Sequence, residues 1–398
     1  MIVKNALVFT ESAYFRMGDI YMDGGLFTNG ISTDGLTLDA DGLYAIPGLI
    51  DIHFHGCMGS DFCDGTSQAL DTISAYELEN GITGICPASM TLPEETLARV
   101  FSNARTYRAS QGASLLGINM EGPFLSAAKK GAQNEAFLHL PDIDMFHRLQ
   151  KEAGGLIRLA AIAPELEDAS LFIRALKDEV ILSLAHTNAD YDTAASALSL
   201  GASHITHLYN AMAPFSHRAP GVPGAAFDKK DTYVELICDG IHVHPSAVRS
   251  AFSMYTDDRI VLISDSMMAA GMPDGIYSLG GQQVQVSGRR ALLKDGTIAG
   301  SASNLMDCVR TAVHDMGISL ESAVKCASAN PARSIGVYDS CGSISAGKCA
   351  DLVLLDKNLA IVNVIKSQVP VFCYPVSTLI FIIKTPVSEI CPVTLQFS

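Results

Sequence analysis

The stretch Pro47-Gly48-Leu49-Ile50-Asp51-Ile52-His53-Phe54-His55-Gly56 decides the fold. A short apolar run entered through a Pro-Gly break reads as a buried strand, and this one ends on two histidines. Working outward, similar runs recur at 82–89, 115–121, 157–165, 181–186, 204–207, 234–239 and 261–265. All but 82–89 end in a residue that binds metals or carries protons: His55, Glu121, Glu165, His186, His207, Asp239 and Asp265. Most are separated by a stretch with helical periodicity. Strand-then-helix repeated eight times predicts an α/β chain folded as a (β/α)8 TIM-type barrel, in which chemistry sits at the carboxyl ends of the strands.

The composition agrees with a large folded enzyme. The 398 residues are 48% hydrophobic and only 17% charged, so an extended disordered region is not expected. A net charge of -15 argues against nucleic acid or an anionic membrane as partner. It leaves room for a small anionic substrate in a locally basic pocket. The N-terminus lacks a basic segment followed by a long apolar one, and no run reaches the ~18 apolar residues of a membrane span. The ten cysteines show no CxxC. Free thiols in a reducing cytoplasm are the expectation.

Residues 1–46 are β-rich, with strands expected at 2–10, 19–23 and 35–39. The barrel is expected over 47–341, with helices at 67–80, 93–109, 167–176, 190–200, 245–255 and 305–316. Pro93 and Pro245 open helices, and Gly81, Gly201 and Gly317 close them. Alternation within 280–300 predicts a β-hairpin inserted after strand eight. β character returns over 342–398, so both chain ends are expected to build one small β-sandwich.

His53 and His55 stand two apart, and side chains two apart on a strand share a face. Both imidazoles are therefore expected in the barrel mouth, either holding a divalent metal or meeting water. Glu121, stranded at the end of an apolar run, needs a cation or donors beside it; it ligates a metal or caps the next loop. His186 and His207 end successive runs, and with Glu121 they point to a metal. His204, three residues before His207, faces the other way and is expected to pack or cap. Asp265 either passes a proton between activated water and a leaving group or anchors a histidine. Asp239 faces the same choice and is read as structural. Asn210, Arg218 and His242, on the loops after strands six and seven, suit an anionic group or serve loop solvation. Such ligands suit Zn, Fe, Mn or Co. No GxGxxG, P-loop or GxSxG stands in a strand-turn-helix context, which argues against dinucleotide, kinase or serine-hydrolase chemistry.

The 47–56 stretch resembles the opening signature of the amidohydrolase superfamily. Met120-Glu121-Gly122-Pro123-Phe124, Thr206-His207-Leu208-Tyr209-Asn210-Ala211-Met212 and Asp239-Gly240-Ile241-His242-Val243 narrow the match. With Ser264-Asp265 and Ala269-Ala270-Gly271, they resemble the N-acetylglucosamine-6-phosphate deacetylase family. The resemblance implies a homodimer that hydrolyses the acetamide of a small sugar phosphate, with metal-activated water and Asp265 as acid/base. It implies that Glu121, His186 and His207 hold a principal metal, zinc first among the candidates. His53 and His55 would support a second, making one or two per subunit. Asn210, Ala211 through its backbone, Arg218 and His242 would engage substrate, with Arg218 reaching the neighbouring subunit's site. The galacto epimer of the substrate, or a cyclic amide, is the alternative.

Two departures stand out. Gln133 occupies the loop position where some members carry a histidine near the substrate carbonyl, and it is expected to bind substrate there. The chain over 361–398 also replaces the usual closing strand, Gly turn and strand with an apolar, Pro-broken tail.

Overall fold

Each apolar run becomes a strand, and each strand is shorter than its run. The computed structural model describes residues 1–108, 112–367 and 369–371. Strand one is Leu49–Asp51 and strand two Ile82–Ile85. Strand three is broken at Leu116-Gly117 into Ser114–Leu115 and Ile118–Met120, the first half pairing with strand two and the second with strand four. Strands four to eight are Ile157–Ile162, Ile181–Leu184, His204–Ile205, Tyr233–Ile237 and Ile260–Ile263.

All neighbouring pairs are parallel and follow chain order. A parallel bridge between Ala88 and Asn119 joins the two arcs on one side. On the other, the Asp265 amide donates to the His53 carbonyl at 2.9 Å. The result is a curled, barrel-like parallel sheet. Its inner face is filled by Ile50, Ile52, Leu159, Ile237, Val261 and Ile263. A larger apolar layer, rich in Phe54, Phe101, Phe124, Phe146 and Phe172, separates the strands from the helices.

The expected helices appear as Ser67–Glu79, Glu94–Thr106, Ala169–Leu176, Tyr191–Leu200, Pro245–Arg259 and Leu305–His314. Residue 109, the expected end of the second, lies outside the described residues. Pro93 proves to be an N-cap rather than a first-turn residue. Ile143–Glu152, Gly221–Asp228, Leu320–Ala327 and Ala329–Ser334 were not expected. Gly221–Asp228 reads Gly-Val-Pro-Gly-Ala-Ala-Phe-Asp, and its two glycines and proline hide it from propensity reasoning.

The hairpin expected at 280–300 is instead a three-stranded antiparallel sheet: Gly275–Leu279, Gln282–Ser287 and Arg290–Leu292. Its first strand carries Tyr277 and Ser278, whose mixed pattern concealed it. The chain ends meet in one connected eight-stranded mixed sheet. Ile2–Phe9 lies parallel to Tyr44–Pro47, which pairs antiparallel with Leu352–Leu355. Ile361–Lys366 adds to that edge and Val369–Val371 pairs with it in turn. The rest of the atypical tail lies outside the described residues. Lys366, held by Asp351 at 3.1 Å, ties the sheet to the barrel by donating to Ser114 at 2.9 Å. No helix among the described residues is long and apolar enough to cross a membrane.

One buried group strains this packing. Glu77, on the helix behind strand one, is fully buried, and its carboxyl has no hydrogen-bond partner among the described residues. Burial pushes its pKa far up, and the Asp51 carboxyl adds to the effect. The folded chain therefore keeps a proton that the unfolded chain releases above its ordinary carboxyl pKa of 4.5. Stability from this group falls as pH rises, by up to about 1.4 kcal/mol per unit until the folded group ionises. Replacing it, Glu77→Met, is expected to raise the melting temperature more at pH 8 than at pH 5. A gain independent of pH would show that the carboxyl is not held protonated.

Candidate metal centre

The polar residues at the run ends lie just beyond the regular strands, where the backbone turns sharply. His186, His207 and Asp265 adopt left-handed φ of 42°, 29° and 50°, and Ala211 one of 49°. Each such residue costs about 1–3 kcal/mol, a cost usually met where a side chain must be aimed. His53 and His55 also lie past the end of strand one, in a bend. Their rings meet edge to face at 5.7 Å through that bend rather than through strand alternation. Glu121 is followed by Gly122, whose φ is 87° and whose added Cβ would lie 2.2 Å from Thr91 Oγ1. Only glycine lets the chain turn there against strand two's loop.

The side chains converge. Glu121 Oε1 lies 3.1 Å from both His186 Nε2 and His207 Nε2, which are 3.2 Å from each other. It lies 3.4 Å from His53 Nε2. Glu121 Oε2 and Asp265 Oδ1 each lie 3.4 Å from His55 Nε2. All of these groups are buried, Asp265 being the most open at 8% exposure.

Hydrogen bonds behind the cluster decide the tautomers. His186 Nδ1 lies 2.9 Å from the Lys129 carbonyl oxygen, which can only accept. His53 Nδ1 lies 2.8 Å from Glu235 Oε2. Both Nδ1 atoms therefore carry protons, and in the neutral rings both Nε2 atoms present lone pairs to Glu121. Lone pairs of nitrogen and carboxylate oxygen at such distances repel unless protons or a cation lie between them. His53 Nε2 accordingly has no hydrogen-bond partner among the described residues. The groups His53/Glu121/His207 and His53/His55/Asp265 each bring donor atoms within 4.8 Å of one another. This donor set fits a divalent metal.

Where no cation lies among these groups, protons on the rings offset the carboxylates instead. Burial pushes Glu121 up, but His53, His186 and His207 outweigh it and hold it well below the usual carboxylate range. Asp265 is likewise held down by His55 and His53 against its burial, which favours its ionised form. Burial pulls His53 down, yet Glu235 and Glu121 hold its pKa well up.

Of the other expected residues, Gln133, Asn210, Ala211 and His242 line the same cavity, of about 370 Å³, as Glu121, His186, His207 and Asp265. Asp239 holds His242, with Oδ2 2.7 Å from Nδ1 and Oδ1 accepting the Ile241 and His242 amides. Burial lowers the His242 pKa, but the Asp239 contact more than reverses this, so the ring carries positive charge further up the pH scale. His204 packs below, with Nδ1 3.3 Å from Ser183 Oγ. Arg218 is exposed on its loop and does not line the cavity. Glu165 turns away to bind Thr187 and the Asn188 amide.

Sequence reasoning missed Glu235. It is fully buried in the middle of strand seven, binds His53, and accepts the His207 amide at 3.0 Å. The signal was present: a lone Glu inside Tyr-Val-Glu-Leu-Ile is a carboxylate that must find donors.

Residues 44–383 match the amidohydrolase family. The chain belongs to that family. It is 38% identical to an N-acetylglucosamine-6-phosphate deacetylase of Bacillus subtilis (strain 168), over 91% of this chain and 94% of that protein. It is 36% identical to an N-acetylgalactosamine-6-phosphate deacetylase of Escherichia coli O157:H7, over 79% of this chain and 84% of that protein. Among solved structures, a variant of the Mycobacterium smegmatis N-acetyl-D-glucosamine-6-phosphate deacetylase in complex with N-acetyl-D-glucosamine-6-phosphate superposes with a TM-score of 0.86. That pair is 32% identical and covers 93% of this chain and 98% of that one.

Removing the carboxylate behind His53, Glu235→Leu, leaves the His53 Nδ1 and His207 amide protons without an acceptor. Zinc affinity, measured by chelator competition, is expected to fall about 10- to 100-fold. Unchanged affinity would place Glu235 outside the site's support.

Proposed function

We propose that this amidohydrolase cleaves the acetamide of N-acetylglucosamine 6-phosphate, releasing glucosamine 6-phosphate and acetate. The observation that carries the reading is one cavity holding both halves of the chemistry. Glu121, His186, His207 and Asp265 line one part of it, and His242, whose charged form the Asp239 contact favours, lines the same space with Asn210. The relatives' activities agree with it.

Glu121, His186 and His207 would hold a divalent metal, with His53 and His55 supporting a second. Zinc suits this donor set, and iron, manganese or cobalt share the same chemistry. Such an ion, when bound, supplies Lewis acidity that makes water a nucleophile at neutral pH and stabilises a developing oxyanion. The protein's own groups do the rest. The ionised Asp265 accepts the proton of the attacking water. It then returns that proton to the amide nitrogen as the C–N bond breaks, leaving acetate and the free amine. Asn210, the Ala211 backbone and His242 receive the sugar phosphate. Arg218, exposed on its own subunit, is assigned to the neighbouring subunit's phosphate, which makes the working form a homodimer. The surrounding frame is read as a closed (β/α)8 barrel over 47–341 carrying a small β domain built from both chain ends. A cytoplasmic location suits a phosphorylated sugar substrate.

Acetate release from N-acetylglucosamine 6-phosphate tests the reading, with the unphosphorylated sugar and the galacto epimer alongside. Release that requires the phosphate and stops with a chelator is expected, and preference for the galacto epimer would reassign the substrate. Asp265→Asn should lower kcat by about 10²–10⁴-fold with little change in KM. His242→Gln should instead raise KM for the phosphorylated sugar by roughly 10- to 100-fold, the worth of a charged hydrogen bond. If His242→Gln lowers kcat alone, the phosphate does not lie there.

A further inference from the structure

Gln133 lines the cavity, and each end of its side-chain amide already has a protein partner. Its Oε1 accepts the Thr91 backbone N–H at 2.7 Å. A backbone N–H can only donate, so the other end of the amide must be the NH2 group. That group donates to Glu121 Oε2 at 2.7 Å. The side chain is 2% exposed. Its own loop is anchored as well, since the Gln133 amide donates to the Lys130 carbonyl and Gln282 Nε2 donates to the Ala132 carbonyl.

The two oxygens of Glu121 are thereby given different tasks. Oε1 faces His186, His207 and His53, while Oε2 faces His55 and takes the Gln133 proton. Without that donor the carboxylate can rotate about its last bond and exchange its oxygens. With it, the group has one orientation, tied through Gln133 to the backbone at Thr91. A donated proton also draws charge from Oε2, the oxygen nearer His55.

We propose that Gln133 is a positioning residue for Glu121. It directs Oε1 to the His186/His207 pair and weakens Oε2 as a ligand on the His55 side, so that the first cation binds more tightly than the second. It does not itself hold the substrate. This rests on reading the cluster as a cation site.

The test is zinc binding to metal-stripped, full-length protein, followed by chelator competition and by bound-metal analysis. Gln133→Met keeps the side-chain volume and loses both hydrogen bonds. Gln133→Asn keeps the amide but is too short to span Thr91 and Glu121. Wild type is expected to take up one zinc tightly and a second less tightly. Both variants should bind the first zinc about 10- to 100-fold more weakly, the usual effect of losing a ligand's supporting hydrogen bond. The gap between the two steps should narrow, and KM at saturating zinc should stay near wild type. Melting temperatures of the metal-free proteins check that both variants fold; if Met destabilises, Asn carries the comparison. Wild-type zinc affinity in a folded variant, with a raised KM, would overturn the proposal and make Gln133 a substrate contact. A wild type that binds no divalent cation would sink the metal reading itself, and this proposal with it.

Discussion

The structure depends on a repulsion that has to be held in place. Buried imidazole nitrogens and carboxylate oxygens face one another across little more than 3 Å around Glu121. Nothing in an apolar core favours this arrangement, and a flexible scaffold would relax it. Here it sits on the ends of parallel strands whose ladders fix the backbone, and outer acceptors fix the rings. The Lys129 carbonyl holds His186 and Glu235 holds His53, so each ring, when neutral, points one lone pair inward. The left-handed residues at the strand ends are part of the same cost, borne locally by the ladder beneath them.

The balance of charge explains why this cost has a use. Glu121, Glu235 and Asp265 place three carboxylates among four neutral-pH imidazoles, and two of the carboxylates touch the inward-facing nitrogens. With the histidines neutral, the cluster is anionic and buried, a state that a cation or added protons must offset. A divalent ion offsets it without taking up the lone pairs of Asp265 as protons would. Asp265 is the most exposed of the set, and its carboxylate stays free of that proton.

Much of this was legible in the sequence because barrel strands are apolar runs with a functional residue at one end. The eight runs could be read from that rule, and it marked the five proposed ligands as candidates among others; the family resemblance singled them out. What could not be read is where each strand stops. His53, His186, His207 and Asp265 all lie beyond the ladder, because aiming a side chain over the mouth requires leaving strand geometry. Glu235 escaped for the opposite reason: it lies within a strand, where alternation assigns a face but not a partner 182 residues away. Gln133 was found by position, and only its two hydrogen bonds reveal that it faces Glu121 as well as the cavity.

The outer wall of the pocket comes from the segment that breaks the β/α rhythm. Leu279, Thr297 and Ile298 from the insert face the same cavity as the histidines. The insert has its own apolar contacts, with Leu279, Val284 and Ala291 packed with Met90 and Met267 from the loops after strands two and eight. It also reaches the Ala132 carbonyl through Gln282. Ala132 is the neighbour of Gln133, and Gln133 holds Glu121. The wall that shapes the substrate's space and the carboxylate at the centre of the cluster are therefore joined by a short chain of hydrogen bonds. A change at Gln282 would therefore act on the loop that carries Gln133 as well as on the pocket wall.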